Sequence, residues 1–185
     1  MQYFHTYDSP LGKMLLLANE RALTGAYFDA QRYHPQWDEA WVQGSTSCVI
    51  AQAVAELDEY FSGRRIRFEV PLEFRGTEFQ VRVWNAINEV KWGETITYSE
   101  LARRCGREGS VRAVGAATGR NRISIIVPCH RIVGSNGKLT GYAGGLDKKQ
   151  TLLAGENGTG QVRMTHRPCF DSRSFHANNN GDHGA

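Results

Sequence analysis

Thr97-Tyr98-Ser99-Glu100-Leu101-Ala102-Arg103-Arg104-Cys105-Gly106, followed by Ser110-Val111-Arg112-Ala113-Val114-Gly115-Ala116-Ala117-Thr118-Gly119, decides how this chain is to be read. Thr97 and Glu100 have the T-x-x-E form of a capping box, and Leu101 and Ala102 follow, so a short helix starts here and stops at Cys105-Gly106. Ser110 is placed to cap a second helix, Val111 to Thr118, closed by Gly119. Two short helices joined by a tight glycine-containing turn form a helix-turn-helix candidate. Arg103, Arg104, Arg107, Arg112, Arg120 and Arg122 gather around it. The second helix is almost all small residues, which lets its backbone come close to a neighbouring helix on one face and to a narrow groove on the other, with Arg112 as a probe.

Working outward, Phe79, Val83, Trp84, Ile87 and Val90 mark another helix, with Gly93 as its stop. Residues 2–7, 13–18 and 23–29 are apolar and aromatic runs divided by Ser9-Pro10-Leu11-Gly12 and Asn19-Glu20-Arg21, which predicts an antiparallel meander. Residues 47–61 carry Ile50, Val54, Leu57 and Phe61 on one helical face, with Gly63 just past the end. Arg64 to Val70 is read as one more strand. The expected class is α+β. A strand-helix domain (antiparallel sheet plus helix) spans residues 1–70, a linker 71–78, and a mainly helical domain with the helix-turn-helix 79–156. From Asn157 onward Gly, Asn, Ser, His and Asp dominate, which reads as a disordered tail over 157–185.

Net charge divides unevenly: −4 over residues 1–78, +6 over 79–156 and +1 over 157–185. A basic middle segment fits a polyanion contact confined to one domain, and equally a merely soluble surface. No apolar run reaches spanning length, and the N-terminus lacks a basic region followed by an apolar stretch, so neither a membrane segment nor a secretory signal is expected. Cys48, Cys105, Cys129 and Cys169 are scattered without a C-x-x-C, which argues against a zinc ribbon or a redox pair and suits a reducing cytoplasm. The tail's Cys169 and histidines show no ligand spacing. There is no heptad seam, so a monomer is expected. Neither G-x-x-x-x-G-K-[ST] nor G-x-G-x-x-G occurs, so no cofactor cradle is read.

Ile123-Ser124-Ile125-Ile126-Val127-Pro128-Cys129-His130-Arg131 carries the chemistry. β-Branched residues run into a proline, which predicts a strand that leaves Cys129 at its exit. His130 and Arg131 would lower the thiol pKa and populate the thiolate, the form that acts as nucleophile. The same residues also fit a buried core cysteine. Neighbours on an extended chain point to opposite sides, so adjacency alone makes no Cys-His pair. Beyond them, Gly134-Ser135-Asn136-Gly137-Lys138 is a tight turn, and Gly141-Tyr142-Ala143-Gly144-Gly145 is a loop able to offer backbone N–H and C=O groups to a flat polar ligand. Leu146 to Glu156 is a last helix.

Taken together, Gly93-Glu94-Thr95-Ile96-Thr97-Tyr98, Arg112-Ala113-Val114-Gly115, Asn121, Ile126-Val127-Pro128-Cys129-His130-Arg131 and Gly141-Tyr142-Ala143-Gly144-Gly145 resemble the O6-alkylguanine-DNA alkyltransferases, in particular the bacterial Ogt-like methylated-DNA–protein-cysteine methyltransferases. The resemblance covers about residues 1–156. It implies direct-reversal DNA repair, with Cys129 taking a methyl or larger alkyl group from O6-alkylguanine, or from O4-alkylthymine, once per molecule and without a cofactor. By the same resemblance His130 acts as base through a water, Glu156 orients His130, and Asn121 braces the turn between the recognition helix and the Cys129 segment. Arg112 fills the gap left by an extruded nucleotide, and Tyr98 assists the extrusion. The carbonyls of Val127 and Cys129, with Tyr142, Ala143 and Gly144, frame the base, and Ser135 meets the DNA backbone. The partner is double-stranded DNA containing alkylated bases. Two departures stand out. Cys48 is the only cysteine of the first domain, so the zinc site of some relatives is not expected, and Ala143 stands where some relatives have Ser. Two other classes remain open at this stage: a DNA-binding sensor or regulator without transfer, and a cysteine hydrolase.

Overall fold

The N-terminal half is built on the expected meander. In the computed structural model, which describes residues 1–44 and 47–158, strands β1 (Tyr3–Ser9), β2 (Gly12–Ala18) and β3 (Leu23–Phe28) pair antiparallel in sequence order. A two-residue strand, β4 (Val42–Gln43), adds parallel to β1 and gives the order β3-β2-β1-β4. Its two residues carry too little pattern to stand out in the sequence. Helix α1 (Cys48–Phe61) is capped by Ser47, whose side chain accepts from the Ile50 N–H, and buries Ile50, Ala53, Leu57 and Phe61 among the core residues it shares with the sheet.

Residues 64–70 do not form the expected strand. The cause is Glu56, a buried acid on α1. Its Oε2 accepts from the N–H groups of Glu69 (2.8 Å) and Val70 (3.1 Å), and its Oε1 from Gln52. A buried carboxylate needs donors, and here it takes backbone N–H groups that a ladder would otherwise use. The segment read as a linker is pinned as well. Leu23 N–H donates to the Pro71 carbonyl and Glu73 N–H to the Leu23 carbonyl, so it covers part of the β3 edge.

The C-terminal half holds α2 (Glu78–Asn88), α3 (Tyr98–Arg104), α4 (Val111–Gly119) and α5 (Leu146–Glu156). Helices α3 and α4 are the expected pair, and Gly106 and Gly109 take positive φ in the turn between them. Trp84 of α2 donates its indole N–H to the Ala117 carbonyl of α4 at 2.9 Å, which fixes α2 against α4. The capping differs in detail from expectation. Thr97 does accept from Glu100 N–H, but the Glu100 carboxylate turns to Arg103 and Arg104. Ser110 makes no side-chain cap bond. A reciprocal capping box lies instead at Thr77 and Gln80, at the start of α2.

The two halves share one hydrophobic core, running from Leu16, Phe28 and Leu57 to Trp84, Ile87 and Ile123. Backbone bonds join them too: Ala26 N–H donates to Arg122 O and Ser124 N–H to Ala26 O, both at 2.8 Å. No described helix is long and apolar enough to cross a membrane. The expected tail lies outside the described residues from residue 159 on. The caps give a contrast to test by urea denaturation: Thr77→Ala loses about 1 kcal/mol of stability, whereas Ser110→Ala stays within about 0.5 kcal/mol.

Candidate active site

The segment before Cys129 is not a strand. Only Ile123 bridges, to Ala26, and Ile125 then takes φ 71°, a left-handed conformation costly for a β-branched residue. Asn121 holds this bend. Its Oδ1 accepts from Ile123 N–H at 3.0 Å, and its Nδ2 lies 3.3 Å from Ile123 O, 2.9 Å from Val127 O and 3.1 Å from Cys129 Sγ. One buried amide thus shapes the turn and touches the thiol. Cys129, His130 and Arg131 form a single 3-10 turn, which leads into the two-residue strand β6 (Ile132–Val133). β6 pairs parallel with β5 (Ile96–Thr97), at the mouth of α3, and so sets Cys129 beside Tyr98. Neither two-residue strand was visible in the sequence pattern. Because Cys129 and His130 lie on a helical turn, the opposite-sides objection for extended neighbours does not apply.

His130 is fully buried, with Nε2 2.8 Å from Glu156 Oε1. Burial works to raise the Glu156 pKa, but hydrogen bonds and charge from His130 and Arg131 outweigh it and hold the carboxyl at about 2. The ionised carboxylate accepts from Nε2, so a neutral imidazole keeps its proton there and leaves Nδ1 as an acceptor. Nδ1 is buried and has no protein partner. Burial lowers the His130 pKa, against the Glu156 bond that raises it. Arg131 does not face the thiol: its Nε and Nη2 donate to Glu156 at 2.8 and 2.9 Å, and its Nη1 to Val90 O.

The thiol itself departs from expectation. Burial raises the Cys129 pKa above its ordinary value, while the Asn121 bond and the charge of Lys149 pull against that. Burial at this site thus disfavours both a standing thiolate and a charged imidazole. Lys149, missed in the sequence, is fully buried, and its Nζ donates to the carbonyls of Ile132 and Thr140 and, at 3.5 Å, of Gly141. Burial lowers its pKa to about 8, while Cys129 acts to raise it. A second lysine at the fourth position of a helix gives no sequence signal, because only the fold turns it inward. The Tyr98 hydroxyl reaches the same carbonyls of Thr140 and Gly141, at 3.3 Å each, so α3 and α5 clamp one loop.

The remaining candidates separate by location. The Val127 carbonyl already accepts from Cys129 N–H and Asn121 Nδ2. The Tyr142 ring stands edge-on to His130, with centroids 6.4 Å apart. Ala143 is half-buried, and its carbonyl accepts from Arg32 N–H of the first half. A Cβ on Gly144 would lie 2.9 Å from ring atoms of both Phe28 and Tyr142. Arg112 and Ser135 are exposed, one in the first turn of α4 and one on the turn after β6. The structure thus groups Cys129, Asn121, His130, Glu156, Tyr98, Val127 and Tyr142, and leaves Arg112 and Ser135 on the outer surface.

A buried cysteine held by an amide, a His-Glu pair behind it and a helix-turn-helix beside it define a DNA-directed thiol site. Family models agree in two parts: "6-O-methylguanine DNA methyltransferase, ribonuclease-like domain" matches residues 2–74, and the corresponding "DNA binding domain" matches residues 78–158. The methylated-DNA–protein-cysteine methyltransferase of Mycolicibacterium paratuberculosis is 44% identical over 162 residues, covering 88% of this chain and 96% of its own length. The protein of the same name from Methanosarcina acetivorans is 44% identical over 151 residues, covering 82% of this chain and 96% of its own. The crystal structure of Mycobacterium tuberculosis OGT in complex with DNA superposes with a TM-score of 0.77 at 41% identity, over 85% of this chain and 94% of that one. The chain belongs to the 6-O-methylguanine DNA methyltransferase family, the methylated-DNA–protein-cysteine methyltransferases.

Two measurements check this geometry. Gly144→Ala forces the Phe28 and Tyr142 rings apart and is expected to lose about 1–3 kcal/mol in urea unfolding. The Glu156 carboxyl sits lower in the folded chain, at about 2, than its ordinary 4.5. The unfolded chain therefore takes up this proton first as pH falls, and the stability Glu156 contributes is present above about 4.5 and is lost towards 2. Urea titrations at pH 5 and pH 3 should show a shallower loss for Glu156→Gln than for the parent.

Proposed function

We propose that this chain repairs DNA by direct reversal, moving a methyl or larger alkyl group from O6 of guanine, or O4 of thymine, onto Cys129. The observation that carries this reading is the Cys129 thiol, 3.1 Å from Asn121 Nδ2 and one residue from a buried His130–Glu156 pair, in the same unit as a basic helix-turn-helix.

The target oxygen lies inside a duplex, so the nucleotide must leave the stack. Arg112, exposed at the start of α4, takes the vacated space, while Ser135 and the arginines around the helix pair contact phosphate, which positions the protein without reading sequence. Tyr98, Tyr142, Ala143 and Gly144 line the space beside the thiol for the extruded base. A water passes the thiol proton to Nδ1 of His130, whose Nε2 proton stays on the Glu156 bond. Sulfur then attacks the alkyl carbon: a C–S bond forms, the C–O6 bond breaks, and its electron pair stays with the guanine. His130 returns a proton to that anion, so the thiol hydrogen has replaced the alkyl group. The product is a thioether, and thiolate is a poor leaving group from carbon, which limits the protein to one transfer. Small Ala143 leaves room for bulkier alkyl groups. The free thiols of Cys48, Cys105 and Cys129 suit a reducing cytoplasm.

Incubation with duplex DNA carrying labelled O6-methylguanine decides the matter. One equivalent of label should stay on the protein and none on Cys129→Ser; repeated release of product, or binding without label, would refute the reading. Arg112→Ala should slow transfer from duplex about tenfold or more, since extrusion costs a few kcal/mol. The same variant should keep near-parent reaction with free O6-benzylguanine base, where nothing is extruded.

A further inference from the structure

We propose that Tyr60 is a positioning residue for the alkyl transfer: supplied by the N-terminal half, it fixes Glu156 and so sets how readily His130 takes up a proton. This rests on the reading of Cys129 and His130 given above.

The geometry around Glu156 points there. Tyr60 lies in the last turn of α1, 96 positions before Glu156, and its hydroxyl donates to Glu156 Oε1 at 2.8 Å. The same oxygen accepts from His130 Nε2 and Arg131 Nη2, and Oε2 accepts from Arg131 Nε. Three of these four bonds crowd onto Oε1 and one falls on Oε2, so the Tyr60 hydroxyl competes with the imidazole for the same oxygen. Every further donor spreads the negative charge and weakens its pull on the His130 Nε2 proton. Tyr60 is thus the one donor to this carboxylate from outside the C-terminal half among the described residues.

The phenol is held as a standing donor. Its ring packs against Phe61, Phe68 and Trp92, each with centroids 5.3 Å away. Burial, then the Glu156 charge and bond, push its own ionisation well above the usual tyrosine range, so it keeps its proton at any working pH. The other charged or titratable groups at this unit are Arg131 on the 3-10 turn, Lys149 on α5, Tyr142 from the loop and Cys129 itself. None of them donates to Glu156 apart from Arg131. Removing the Tyr60 hydroxyl leaves the carboxylate with His130 and Arg131 alone, concentrates its charge towards Nε2 and makes His130 the stronger base.

Tyr60→Phe keeps the ring and tests this. Two readouts are needed: the pH profile of single-turnover methyl transfer from duplex DNA, and the NMR titration of the His130 imidazole, which does not depend on transfer. Both are expected to move up by about half to one pH unit. On the acid limb of the profile, below both titrations, that is a transfer rate about 3- to 10-fold below the parent, closing to within about twofold at pH 8.5. Placing 3-fluorotyrosine at position 60, a stronger donor of almost the same shape, should move the His130 titration the other way and covers the case of a Tyr60→Phe chain that folds poorly. An unmoved titration, or a rate lowered by one factor at every pH, overturns the proposal and leaves Tyr60 a packing residue. Failure of the parent to take up one methyl equivalent on Cys129 would instead sink the reading of the site, and the His130 titration would still judge Tyr60.

Discussion

A single buried carboxylate organises this molecule. Glu156 ends the last helix, yet its oxygens collect donors from α1, from the imidazole beside the reactive thiol and from a guanidinium that also reaches Val90. An anion taken out of water is tolerable only with such a full shell of donors. That requirement draws three distant parts of the chain to one point. The hydrophobic core would bring the two halves into contact without it, but core packing alone sets no angle for an imidazole.

The site is built to keep its nucleophile dormant. Burial holds the Cys129 proton in place, and the charge of Lys149 only partly offsets this. A permanently ionised thiol would react with any small electrophile. A molecule that can be used once gains from a thiol that ionises only when a base lies ready to receive its proton. The low proton affinity of His130, depressed by burial, favours a neutral imidazole whose Nδ1 can accept a proton.

Much of this was legible in the sequence, and the failures have physical causes. The meander, α1, the helix pair and α5 follow from periodicity and from glycine stops, because each buries one face. Cys129 and His130 stood out from their own stretch of sequence, Glu156 and Asn121 came through family resemblance, and the structure hydrogen-bonds Asn121 to Cys129 and Glu156 to His130. The strand expected over Ile123–Val127 was wrong because the Asn121 side chain satisfies the backbone there and bends it, an effect β-branched propensity does not register. The strand expected over 64–70 was lost to the Glu56 carboxylate in the same way. Lys149 and Tyr60 were invisible for another reason: each looks like an ordinary helix residue until the tertiary fold turns it inward. Arg131 was assigned to the thiol on adjacency, whereas a 3-10 turn sends consecutive side chains to different neighbours.

The pairing of Ala26 with Arg122 and Ser124 bears on when the protein becomes competent. These residues lie almost a hundred positions apart, as do Tyr60 and Glu156, so the bonds that tie the reactive site to the N-terminal half are among the most non-local of the described residues. Loops of that length close late, after local helices and hairpins have formed. On a ribosome, the segment carrying Cys129 emerges long after β3 and before the last helix that supplies Lys149 and Glu156. The nascent chain thus exposes Cys129 and His130 together before the Glu156 carboxylate that holds the imidazole has followed.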